Sequence, residues 1–139
     1  AEKKANALKN KLKENDILIT ADTVVIHNNK LLSKPENTYQ AKEMLEKISG
    51  KSHKVITGVC LSNKNNKSIF SCETIVTFND LNKFEIEFYV NKYKPFDKAG
   101  SYGIQEWIGL IGVKKIEGSY TNVVGLPASM VYTELKKFI

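Results

Sequence analysis

Arginine is missing from all 139 residues: every one of the 21 basic side chains is a lysine. Any contact from this chain to a phosphate is therefore a point charge from an ammonium group, or a backbone N–H, and not a bidentate guanidinium fork. Cysteine is scarce. Cys60 and Cys72 are too few for a disulfide framework and read as buried thiols on neighbouring strands, which points to a reducing compartment, the cytoplasm. No apolar run approaches the roughly 20 residues that a membrane span needs. Neither G-x-x-x-x-G-K-[ST] nor G-x-G-x-x-G occurs, so two common phosphate-cradling loops are excluded. His27 and His53 lie far apart, with no Cys/His ligand pattern between them, and read as structural. Ser101 and Ser119 lack a nucleophile-elbow context.

What is present describes one domain spanning residues 1–139. At 42% hydrophobic and 26% charged, the chain has material for a proper core and an ordinary soluble surface. The net charge of +6 comes from scattered lysines. It reads either as a solvated basic surface or as the footprint of a polyanionic ligand. A basic nucleic-acid-binding module is an alternative that the scatter and the missing arginine argue against, so we expect neither a nucleic-acid nor a membrane partner.

Hydrophobic periodicity organises the chain. A helix is expected over residues 2–13, then a strand from Ile17 to Ile26, a turn at Asn28–Asn29 and a short strand at Leu31–Leu32. "NTYQAKEMLEKISG" predicts a helix with Asn37 or Thr38 as N-cap and Gly50 closing it. Two long strands, 54–62 and 68–78, flank a hairpin turn at "NKNN". "DLNKFEIEFYVNKY" predicts a helix burying Phe84, Phe88 and Tyr89, with Asp80 or Asn82 as its cap. "GLIGVKKIEGSY" predicts a strand and a turn, and the chain ends in a helix with Pro127 in its first turn and Val131, Leu135 and Phe138 on one face. Interleaved helices and strands predict an α/β protein, a mixed β-sheet sandwich with flanking helices.

Three stretches offer chemistry. Asp22 stands inside the apolar run "ILITADTVVIH". It is either a general base or metal ligand at a strand end, with the Thr23 hydroxyl beside it, or an acid capping a bend. Lys34 precedes Pro35, either stiffened toward a phosphate or simply at a surface turn. "DKAGSYGIQ", residues 97–105, combines two glycines with Asp97, Lys98, Ser101, Tyr102 and Gln105. It is a ligand-contacting loop or a structural one. Gln105 offers a donor and an acceptor, which suits the edge of a nucleobase. Glu73 faces either a site or solvent, and Trp107 and Tyr102 read as packing or interface residues ahead of base stackers.

Taken together, "ADTVV", "L.SKP", "AKEMLEKISGKSHKVITGV", "DKAGSYGIQ" and "GSYTNVVGLP", in this order, resemble the Maf family of nucleoside triphosphate pyrophosphatases in the inosine-triphosphatase-like superfamily. The resemblance implies that fold, and hydrolysis of a nucleoside triphosphate to the monophosphate and pyrophosphate with a divalent metal, Mg²⁺ or Mn²⁺. It implies that Asp22 is the catalytic aspartate and a metal ligand, that Lys34 and Lys4 are catalytic lysines, and that Thr23 and Gln105 meet the substrate. "DKAGSYGIQ" resembles the branch acting on dTTP and UTP, with modified pyrimidine nucleotides as further candidates. The family opens with a strand and a Ser-Pro-Arg-Arg loop that have no counterpart in these residues, so an N-terminally truncated form of the domain is expected. A nucleotide-binding regulator of cell division and septum formation, without turnover, is the alternative. A homodimer through Trp107 or the last helix also fits.

Overall fold

Two asparagines in the left-handed region, Asn28 (φ 50°) and Asn29 (φ 59°), turn the chain back on itself and set the first hairpin. They join strand β1 (Leu18–His27) to the short β2 (Lys30–Leu32). A second, longer hairpin pairs β3 (Ser52–Ser62) with β4 (Lys67–Phe78). Its turn is held by the Asn63 side-chain oxygen, which accepts from the N–H groups of Asn65 (2.9 Å) and Asn66 (2.6 Å). With β5 (Val113–Glu117) the sheet runs β2-β1-β3-β4-β5. The computed structural model describes residues 1–139. All four strand pairings are antiparallel, where interleaved helices had suggested a mixed sheet. The reason is that α2 (Thr38–Ile48) leads from edge strand β2 back to β3, which pairs with β1 in the opposite sense.

One face of the sheet carries the main core. Helix α2 begins at Asn37, whose side chain accepts from the Gln40 N–H, and is followed by Gly50 at φ 66°. Helix α3 (Lys83–Tyr93) opens on a capping box between Asn82 and Glu85. Ala41, Leu45 and Ile48 of α2 meet Ile86, Tyr89 and Val90 of α3 over Val55, Val76 and Phe78 of the sheet, all buried. Phe84 is 73% exposed, against expectation. With the helix starting at Lys83, the buried stripe falls on 86, 89 and 90, and Phe84 stacks outside on Phe88 (6.2 Å). Phe88 packs edge-on against Trp107 (4.9 Å), which confirms Trp107 as a packing residue.

Three further elements differ from expectation or complete the fold. Helix α1 stops at Leu8 and tightens into a 3₁₀ turn over Lys9–Lys11; Leu12 is already extended. Residues Trp107–Gly112 form a short helix, α4, ahead of β5. Gly109 permits this, because a Cβ there would collide with the Ile104 backbone. Helix α5 (Tyr120–Val124) is capped by Ser119, and α6 (Ala128–Leu135) follows Pro127 and buries Val131 against Val59 and Leu61, with Leu135 and Phe138 beside them. No helix is long and apolar enough to cross a membrane. Cys60 and Cys72 are both free, and Cys72 is only half-buried.

Candidate active site

Strand β1 presents Asp22 and Thr23 as consecutive residues, so their side chains leave opposite faces of the sheet. Thr23 turns inward to Thr57 on β3, while Asp22 meets α1. Both line one cavity of about 220 Å³. Lys34, Lys98, Tyr102 and Gln105 line it too, and Val55 and Val123 add apolar wall. An adjoining groove of about 380 Å³ is shaped by Asp22, Thr23, Lys34 and the Leu31–Ser33 stretch. Four of the five residues singled out from the sequence, Asp22, Thr23, Lys34 and Gln105, therefore converge. Lys4, the fifth, does not line the cavity. It reaches over from α1, with Nζ 3.8 Å from Asp22 Oδ1 and 3.2 Å from the Ala21 carbonyl oxygen it donates to.

The loop 97–105 is a rigid wall. Gly100 (φ 71°) lies so close to Val25 that a Cβ would come within 3.1 Å of both its methyl groups. The Gly100 N–H donates to the Ser33 carbonyl (3.4 Å), which ties this loop to the residue before Lys34. Tyr89 Oη accepts from the Gly103 N–H (3.1 Å) and donates to Glu106 (3.3 Å). Burial above all pushes the Tyr89 hydroxyl well above the ordinary phenol range, so it stays protonated and able to donate.

Lys98 is not a free cation. It is held between Asp97 (3.1 Å) and Glu106 (3.2 Å). Burial works against its charge, but hydrogen bonds to the two carboxylates outweigh this and raise its pKa. The hydrogen bond from Lys98, in turn, holds the Asp97 carboxyl below the usual range. The positive charge left unpaired by carboxylates at the cavity wall is that of Lys34.

Several other candidates have structural jobs. Ser101 is fully buried and donates to the Met44 sulfur (3.2 Å). Glu73 points outward and pairs with Lys54 (3.4 Å). Ser119 caps α5. His53 is buried, with Nε2 at 2.6 Å from the Tyr102 hydroxyl and its ring edge-on to Phe78. Burial, helped by His27, lowers its pKa to about 4.

Sequence reasoning missed the layer beneath the cavity. Thr57 and Asn122 are both fully buried. Asn122 donates from its side-chain amide to the Val55 carbonyl (3.2 Å) and to Thr74 (2.8 Å), and its backbone carbonyl accepts from Thr57 (3.1 Å). A polar asparagine directly before the apolar pair Val123–Val124 in "SYTNVVG" was the one visible signal.

No three His, Cys, Asp or Glu side chains gather as a ready-made metal cage. The cavity carries two carboxylates, Asp22 and Asp97, and Asp97 is committed to Lys98. Mg²⁺ keeps several waters and is commonly bound by one or two carboxylates together with substrate phosphates. Asp22 alone therefore fits a cation that arrives with a triphosphate.

The family model described as Maf-like protein matches residues 1–138. The chain is 54% identical over 136 residues to a dTTP/UTP pyrophosphatase of Christiangramia forsetii, covering 98% of this chain and 69% of the relative. It is 49% identical over 140 residues to one from Porphyromonas gingivalis (99% and 70%), and 50% identical over 139 residues to one from Flavobacterium johnsoniae (100% and 72%).

Proposed function

The chain belongs to the Maf-like protein family, and we propose that it acts there as a nucleoside triphosphate pyrophosphatase on dTTP and UTP. The observation that carries this reading is the convergence of Asp22, Thr23, Lys34 and Gln105, from three separate stretches of chain, on one cavity. Relatives at about half identity that are named for this activity support it.

The reaction joins a water oxygen to the α-phosphorus and breaks the bond from that phosphorus to the oxygen bridging to the β-phosphate. The products are a nucleoside monophosphate and pyrophosphate. Asp22, fixed on a strand rather than a loop, takes the proton from the attacking water as general base. Lys4 holds that carboxylate from α1 and adds positive charge beside it. Lys34, its backbone tied to the 97–105 loop through Ser33, faces the phosphates as a point charge. Asp22 would also hold the divalent cation, which, when bound, supplies further charge to the phosphate oxygens. Gln105 and Thr23 meet the base against the apolar wall of Val55 and Val123. The small cavity accommodates the base and the adjoining groove leads the phosphates past Asp22 and Lys34. The free thiols fit a cytoplasmic setting.

Product identification tests the reading. The protein is incubated with Mg²⁺ and dTTP, UTP, CTP or GTP. TMP or UMP together with pyrophosphate is expected, and orthophosphate in place of pyrophosphate sinks the reaction class.

A further inference from the structure

The geometry points to Thr57 as a positioning residue that locks the Thr23 hydroxyl as a hydrogen-bond acceptor, and so favours bases carrying a ring N–H over cytosine. The inference rests on the reading above in placing the base against Thr23 and Gln105.

A hydroxyl has one proton to donate. Thr57 Oγ1 lies 3.1 Å from the Asn122 carbonyl oxygen, an atom that can only accept, so the Thr57 proton goes there. Thr57 Oγ1 is also 2.9 Å from Thr23 Oγ1. With the Thr57 proton spent, Thr23 must be the donor in that contact. Its single proton then points away from the cavity, and only lone pairs face the ligand.

Burial makes this ordering hard to reverse. Thr57 and Asn122 have no exposure to water, and turning the Thr57 hydroxyl toward Thr23 would set its lone pairs against the Asn122 backbone carbonyl oxygen at 3.1 Å, an atom that also accepts from the Gly125 N–H (3.0 Å). Asn122 is itself held by Val55, Thr74 and the Ser119 side chain, to which its N–H donates at 3.2 Å. The chain of hydrogen bonds is therefore anchored in the sheet and in helix α5, and ends at the cavity wall.

The consequence concerns base choice. The Gln105 amide can turn over to offer either its N–H or its oxygen, so it adapts to uracil or cytosine alike. Thr23 cannot adapt. Uracil and thymine carry a donor at N3, which suits a fixed acceptor. Cytosine carries a lone pair at N3, which would face the Thr23 lone pairs with no proton between them. Discrimination of this kind comes from a site polar group left unpaired by the wrong base.

The test uses the 139-residue chain, Mg²⁺, and the non-hydrolysable α,β-methylene analogues of UTP and CTP, with Kd read by calorimetry. The native protein is expected to prefer the UTP analogue by about tenfold or more. In Thr57→Val the Thr23 hydroxyl is free to rotate, and that preference falls to about twofold or less. Thr57→Ser, which keeps the hydroxyl, restores it. A folded Thr57→Val protein that keeps the native preference overturns the inference. Should Thr57→Val fail to fold, Thr23→Val is read in its place: collapse of the preference supports the inference and retention overturns it. Product identification stands apart from these affinities. Orthophosphate release with the base preference intact would remove the pyrophosphatase reading and leave this one standing; pyrophosphate release with no base preference in the native protein would do the reverse.

Discussion

Lys4 on helix α1 and Asp22 on strand β1 meet across the edge of the sheet, Nζ to Oδ1 at 3.8 Å. Both side chains are more than half exposed, so the pair does little for stability. Its effect belongs to the reaction. Asp22→Asn is expected to lose about 10²–10⁴-fold in turnover while still binding nucleotide. Lys4→Met should lose about tenfold, with the free energy of unfolding changed by about 1 kcal/mol or less. Near-normal steady-state rates in Asp22→Asn would remove it from the role of base.

Gln105 lines the cavity and is exposed, so truncating it leaves the core untouched. Gln105→Ala should alter the ratio of kcat/KM between dTTP and GTP by about tenfold, with unfolding unchanged. A uniform loss over all nucleotides would count against contact with the base.

His53 makes stability depend on pH. Its pKa falls from 6.5 to about 4 on folding, because burial and His27 disfavour its charged form. The unfolded chain therefore binds more protons between these values, and stability drops as pH falls from 6.5 toward 4. The loss reaches up to about 3 kcal/mol. Urea midpoints across that range should show the slope in the native protein and a shallower one in His53→Phe.

Asn82 closes the start of α3 by accepting from Glu85, while Glu85 reaches back to the Asn82 N–H (2.9 Å). Asn82→Ala should cost about 1 kcal/mol, or about 4 °C in Tm for a domain of this size. Turnover at 25 °C should not change, since the box lies outside the cavity.

The parts legible in the sequence were those written locally. Asn28–Asn29, Asn37 and Asn82 announce a turn and two helix starts through their own side chains. Asp22, Lys34 and Gln105 stood out because each breaks the pattern around it or occupies a glycine-rich loop. The burial of α3 was misread at Phe84, because Phe84 and Phe88 share one face of the helix and Ile86, Tyr89 and Val90 the opposite one, and only packing shows which face meets the sheet. Thr57 and Asn122 were hidden for another reason. They sit 65 residues apart and meet only once β3 and α5 are packed together. A threonine inside a strand looks like any other strand threonine until its partner is known.

The long hairpin has a kinetic consequence. β3 and β4 are joined by a turn that holds itself together, so they can pair early at small loop-closure cost. β1 must wait, because its register with β3 closes across the whole of β2 and α2. The strand bearing Asp22 and Thr23 therefore docks late, onto a hairpin already in place. Substitutions such as Val24→Ala should speed unfolding and barely slow refolding, whereas those around Asn63 should do the opposite. Stopped-flow chevrons of the two variants would show it. On that order of docking, catalytic competence is expected to arrive at the end of folding.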